Sequence, residues 1–96
     1  MKEKQQIATE VMRAKWQSLR VHHRRRAVIF VSPPLELVTA AEAMASDQAR
    51  VVQAWLEGGQ MLRATDAMVL PIKADEELDF VIVQPFVLVG RTIEFN

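Results

Sequence analysis

The chain has 96 residues, half of them apolar and a quarter charged, and its formal net charge is zero. This composition is typical of one globular domain and excludes a disordered or low-complexity chain. The absence of cysteine excludes disulfides, thiolate metal sites and a cysteine nucleophile. No apolar run approaches the roughly 20 residues that span a bilayer, so we expect a cytoplasmic protein that does not bind membranes.

Charge is unevenly distributed along the chain. Residues 1–26 contain eight Lys or Arg and two acidic residues, a formal charge of +6, and the remaining residues carry −6. The positive charge peaks at Arg20 and at the three consecutive arginines Arg24, Arg25 and Arg26. A partner meets local charge rather than the total, so these four arginines are the candidate contact site for phosphate or for an acidic partner.

The first half of the chain predicts a helix, a strand and a second helix. Apolar side chains recur at helical spacing in the first segment, at Ala8, Met12, Trp16, Leu19 and His23. Residues 27–31 are all apolar and predict a central strand covered on both faces. Residues 32–34, Ser-Pro-Pro, end this strand, and a helix is expected over about residues 35–45.

A further helix is predicted after Ser46 or Asp47, since either side chain can accept from the first free amides of a helix. Apolar residues then line one helical face up to Leu56, and Gly58-Gly59 ends the helix. Because Trp55 lies on that face, as Trp16 does on the face of the first helix, both tryptophans are interpreted as core residues.

The second half is predicted to be mainly extended. Residues 60–64 give a weak strand signal, and Thr65 can start a brief helical turn. Two strand-like runs follow, at 80–83 and 86–89, separated by Gln84-Pro85. They form either a tight hairpin or one kinked strand, and the kinked strand is favoured because proline fits the second central position of a two-residue turn only with a cis peptide bond.

This order of elements predicts a single small α+β domain over residues 1–96. We expect an N-terminal helix and a short mixed sheet of three to four strands, covered by two to three helices. No internal repeat or linker interrupts the order.

The spacing of several of these residues resembles a bacterial family known as domain of unknown function 2288. The positions that carry the resemblance are Glu10, Trp16, Leu19, Val28 to Val31, Leu35, Leu37, Val38, Asp47, Val52, Trp55, Leu56, Gly59 and Val81 to Val89. Phe86 stands where the family usually has tryptophan, and residues 66–79 depart further. The family has no assigned activity or cofactor, so the resemblance implies a fold and a bacterial intracellular setting, without catalytic residues.

No residue set in the chain specifies a reaction or a cofactor. His22 and His23 are adjacent, hence roughly 100° apart around a helix, and neither has a metal ligand one turn away. The serines lie outside any nucleophile elbow, and the glycines are too few for a phosphate loop. The acidic run from Asp75 to Asp79 is interpreted as a solvated loop. No catalytic, cofactor or metal site is therefore predicted.

Three functions from different classes remain. The leading hypothesis is a non-catalytic interaction or self-association module, forming a homodimer or docking on another protein. The first alternative is nucleic-acid binding through the basic end of the N-terminal helix. The second is an enzyme that uses the histidine pair with an acid brought near by folding.

Overall fold

The computed structural model describes residues 11–92, and there a five-stranded mixed sheet carries helices on both faces. The elements are β1 (Met12–Lys15), α1 (Trp16–Arg24), β2 (Val28–Val31), α2 (Leu37–Ala45), α3 (Ala49–Gly58), β3 (Met61–Arg63), α4 (Asp66–Val69), β4 (Glu77–Val83) and β5 (Phe86–Gly90). The predicted α+β class is confirmed, and the described range has four helices and five strands, one strand more than expected.

The strand order is β1-β4-β5-β2-β3, and all neighbouring strands are antiparallel except β2 and β5. All four residues of β2 are buried, as the apolar run predicted. Val28 and Phe30 point to one face of the sheet, and Ile29 and Val31 point to the other. The alternation of side chains along a strand explains why a continuous apolar run serves two cores.

The two cores are covered by different helices. Trp16 and Leu19 of α1 pack on the first face, together with partly buried side chains of α4. Ala40 and Ala41 of α2 pack on the second face, where α3 contributes the half-buried Trp55. Both tryptophans therefore contact core residues, as predicted. No helix in the described part of the chain is long and apolar enough to cross a membrane.

The predicted extent of the first helix is wrong. Ala8 lies outside the described residues, and Met12 to Lys15 form strand β1, so α1 begins only at Trp16. β1 pairs antiparallel with β4, and Arg13 lies opposite Asp79 in the register. Met12 is 42% exposed, so the helical spacing does not bury its side chain. Pairing with the edge of β4 therefore outweighs the helical spacing.

The expected cap of α3 is also wrong. Neither Ser46 nor Asp47 caps it, because the helix begins at Ala49 after Gln48, which makes no side-chain cap bond. Asp47 instead adopts a left-handed φ of 59° that closes the end of α2. The predicted end at Gly58-Gly59 is confirmed, and Gly59 takes the left-handed conformation with φ 84°.

Gln84-Pro85 forms a hairpin turn, so the preference for a kinked strand is wrong. Val83 pairs directly with Phe86, and β4 and β5 run antiparallel from there. The Gln84-Pro85 peptide is cis, the geometry in which proline fits this turn position. The weak strand at 60–64 and the helical turn after Thr65 are confirmed, with Thr65 Oγ1 accepting from the Met68 amide at 3.2 Å.

Candidate functional site

The candidate site is the basic end of α1 and the loop that follows it. Trp16, Leu19 and His23 recur at spacings of three and four residues and are all buried, so they fix the inner face of the helix. Arg20 and Arg24 are one turn apart beside that face; Arg20 is half-buried and Arg24 is exposed. Positive side chains at the C-terminal end of a helix interact favourably with its macrodipole. This interaction is the structural role that these arginines can have.

The helix ends in a Schellman turn. The Arg26 amide donates to the His23 carbonyl at 2.8 Å, and the Ala27 amide donates to the His22 carbonyl at 3.0 Å. Arg26 therefore occupies the left-handed position, with φ 62°, that glycine usually takes. An arginine side chain is held here although the backbone conformation favours glycine.

The arginines of the cluster have few acidic partners. Within residues 11–92, no carboxylate lies within 4.0 Å of the guanidinium groups of Arg20, Arg24 or Arg25. Arg25 Nη2 donates to His22 Nδ1 at 2.7 Å, and Arg26 Nη1 lies 4.0 Å from Asp66 Oδ1. The positive charge that the sequence concentrates here stays largely unneutralised by the described fold.

The acidic run pairs with other arginines. Arg13 Nε lies 3.2 Å from Asp79 Oδ1, and Arg91 donates to both carboxylate oxygens of Glu76. The interpretation as a solvated loop holds for Asp75 and Glu76 and is wrong for Glu77 to Asp79, which belong to strand β4. β1, through Arg13, and Arg91 bring guanidinium groups alongside the acidic run. The Trp16 amide bonds the Glu76 carbonyl, which places these acids at the opposite end of α1 from the cluster.

Folding brings one acid to the histidine pair. Asp66 Oδ1 accepts a hydrogen bond from His23 Nε2 at 2.8 Å, across 43 residues of sequence. His23 is 7% exposed, and its Nδ1 is buried without a hydrogen-bond partner in the described structure. His22 is half-buried and engaged by Arg25. The helical spacing that grouped His23 with Trp16 and Leu19 is confirmed by its burial beside them.

This geometry does not suit acid–base chemistry at His23. In a catalytic pair the carboxylate holds one ring nitrogen and the other faces the reacting group. Here Asp66 occupies Nε2, and Nδ1 is buried. In the described range, no three His, Asp or Glu side chains are grouped to hold a metal ion.

A pocket of about 360 Å³ adjoins the cluster between α1, α4 and the residues after α4. Its lining residues are Trp16, Arg20, His23, Arg24, Asp66, Val69, Leu70 and Ile72. Trp16 and Ile72 are buried and contribute apolar surface, whereas Leu70 is 82% exposed. The pocket therefore joins two guanidinium groups to an apolar surface, a combination that the sequence did not predict.

A larger pocket of about 450 Å³ lies at the carboxyl ends of β2 and β5. Two carboxylates line it, those of Glu36 and Asp79, beside prolines and aliphatic side chains. Asp79 is already paired with Arg13. The arginine cluster does not reach this pocket, so the smaller one is the candidate site.

Arg63 is a basic neighbour that sequence reasoning missed. It lies on β3, where its Nη1 donates to the Arg26 carbonyl at 3.5 Å. Its guanidinium also stands 5.3 Å from the centre of the Phe86 ring, a cation–π contact. No sequence signal marks it, because the pairing of β3 with β2 alone brings it to the cluster.

Fold and site together define a small α+β domain with helices on both faces of the sheet and a basic, partly apolar pocket on one of them. A family model described as a protein of unknown function, DUF2288, matches residues 2–91, and the chain belongs to this family. The fold is similar to the solution NMR structure of PA1075 from Pseudomonas aeruginosa, with a TM-score of 0.82 and 28% identity over 98% of this chain and 89% of that one. No curated protein matches the chain.

Proposed function

We propose that the protein is a non-catalytic interaction module that docks an acidic segment of a partner protein on the basic end of α1. The contact residues are Arg20, Arg24, Arg25 and Arg26. The observation that supports this is the absence of a close carboxylate, within the described range, at the first three of them. A guanidinium group without an acidic partner can offer its planar set of donors to a carboxylate in two-point contacts.

The distribution of charge favours a separate partner over a second copy of the chain. The cluster lies on the α1 side of the sheet, whereas α2, α3 and their flanking turns carry Glu36, Glu42, Asp47 and Glu57 on the other side, against Arg50. A two-fold homodimer on the cluster would place arginine against arginine. A contact between opposite charges would join different faces, which gives a ring or a filament instead of a two-fold dimer.

The surroundings of the cluster favour protein over nucleic acid. Single-strand binding needs exposed aromatic rings on which bases stack. Trp16 and Phe30, which pack on the α1 side of the sheet, are each 2% exposed and unavailable for stacking, and Phe86 is half-buried against the Arg63 guanidinium. An enzymatic role for His23 is disfavoured because Asp66 occupies its Nε2 and its Nδ1 is buried. The proposed docking and a cytoplasmic setting both remain predictions.

Fluorescence anisotropy tests the proposal with the full chain. The probes are a labelled peptide of Glu and Ser residues and a labelled duplex DNA and single-stranded RNA, each titrated over a salt series. The variant is the triple substitution Arg24→Ala, Arg25→Ala, Arg26→Gly, and the matched control is Arg50→Ala on the opposite face.

We expect the peptide to bind with an affinity that falls as salt rises. The triple variant should bind about tenfold more weakly, from roughly 0.5 kcal/mol for each of three exposed charge contacts. The control should match the wild type. Equal peptide affinity in the triple variant would contradict the proposal. Tighter binding of DNA or RNA, lost in the same variant, would assign the cluster to nucleic acid instead.

A further inference from the structure

We infer that the pocket beside the cluster receives one apolar side chain of the acidic segment, so that recognition requires an apolar residue near the acids. This inference rests on the proposed function and names what the partner must carry. The pocket holds about 360 Å³, at the small end of the range for ligand sites. A volume of this size has room for one apolar side chain and the backbone on either side of it.

The lining has a buried floor and an exposed wall. Trp16 is 2% exposed and Ile72 is 5% exposed, so the floor is buried and apolar. Leu70, 82% exposed, stands at the edge and is the most exposed of the large apolar residues described. A side chain that entered the pocket would cover Leu70 and release the water around it.

The charged groups at the pocket match an acidic segment. Arg20 and Arg24 both line it and can hold carboxylates that flank the inserted side chain. The pocket also contains one carboxylate, that of Asp66, which would repel an acidic ligand. That carboxylate accepts from His23 Nε2 at 2.8 Å and has Arg26 Nη1 at 4.0 Å, so the neighbouring guanidinium partly offsets its charge.

Two labelled peptides test this inference on the full chain. One contains only Glu and Ser, and the other is identical except for a single central Leu. Each is titrated by anisotropy against the wild type and against Leu70→Ser, with Val51→Ser as the matched control. Val51 is 39% exposed on α3, on the opposite side of the sheet, and its substitution changes an exposed apolar residue outside the pocket.

We expect the Leu peptide to bind the wild type about tenfold more tightly than the Ser peptide, the effect of burying one aliphatic side chain. In Leu70→Ser the gain should fall to about threefold or less, a coupling that the Val51→Ser control should not show. Equal affinity for the two peptides, with binding that still depends on the arginines and on salt, would overturn this inference and leave the proposed function standing. Failure of both peptides to bind would overturn both.

The tryptophan indoles provide a second readout. In proton–nitrogen NMR spectra, the Leu peptide should shift the indole signal of Trp16, which lines the pocket, more than that of Trp55, which packs on the second face. The Ser peptide should leave both nearly unchanged. A Trp55 shift as large as that of Trp16 would place the peptide elsewhere and contradict the inference.

Discussion

Replacing Arg26 by glycine should give a more stable protein than replacing it by alanine. The φ of 62° at Arg26 lies in the left-handed region, which an L-residue enters at a cost of about 1–2 kcal/mol. Glycine avoids this cost, although its freer unfolded chain offsets about 0.4–1 kcal/mol. Both substitutions remove the guanidinium, so their difference isolates the backbone and should be about 1 kcal/mol in favour of glycine.

Arg24 is the matched control, because it lies two residues earlier and inside the helix. Arg24 is the last residue of α1, so glycine there should be less stable than alanine by up to about 1 kcal/mol, the full difference being that of a helix interior. The two positions carry the same side chain and are both exposed. The sign of the difference between glycine and alanine should therefore reverse between Arg24 and Arg26.

Urea unfolding followed by tryptophan fluorescence measures all four variants. Trp16 is 2% exposed, so unfolding changes its surroundings strongly. With a slope of about 1 kcal/mol per molar urea for a small protein, the expected difference shifts the midpoint by about 1 M. If glycine at position 26 were less stable than alanine, the left-handed cap and the reasoning from it would be refuted.

Two further predictions concern packing and the buried histidine. Leu88→Ala should lower the free energy of unfolding by about 2–5 kcal/mol, because Leu88 is fully buried at the centre of the sheet. The control Ile82→Ala, at a position on the same hairpin that is 37% exposed, should lower it much less. Equal urea midpoints for the two variants would contradict the described core. Asp66→Ala should lower the free energy of unfolding by about 1–3 kcal/mol, because it leaves the buried His23 without its hydrogen-bond partner. The control Asp75→Ala, at an exposed position, should change it by no more than about 0.5 kcal/mol. Equal effects of the two substitutions in thermal unfolding would show that the bond to His23 contributes nothing.

Much of the fold could be predicted from local patterns. The apolar run at 27–31 identifies β2, because only a strand buried on both faces uses so continuous a run. The glycine pair identifies the end of α3, because a left-handed residue is needed there. Each of these signals depends on residues close in sequence.

The errors at residues 12–15 and at Gln84-Pro85 occurred where strand pairing decides the conformation. Residues 12–15 have helical spacing but pair with β4, and Gln84-Pro85 turns because β4 and β5 form a ladder on either side of it. The candidate site shows the same limit. The arginine cluster was visible as a run of charge, but its lack of acidic partners followed only from where the acids folded.

The sequence by itself determined the α+β class, the buried strand, the core tryptophans and the concentration of charge at the end of α1, because each depends on composition or on short-range periodicity. Only the tertiary structure decided that Asp66 contacts His23, that Arg63 joins the cluster and that a pocket opens beside Arg20 and Arg24. Those contacts join residues far apart in the chain, and their geometry is set by how the sheet orders its strands and which helix covers each face.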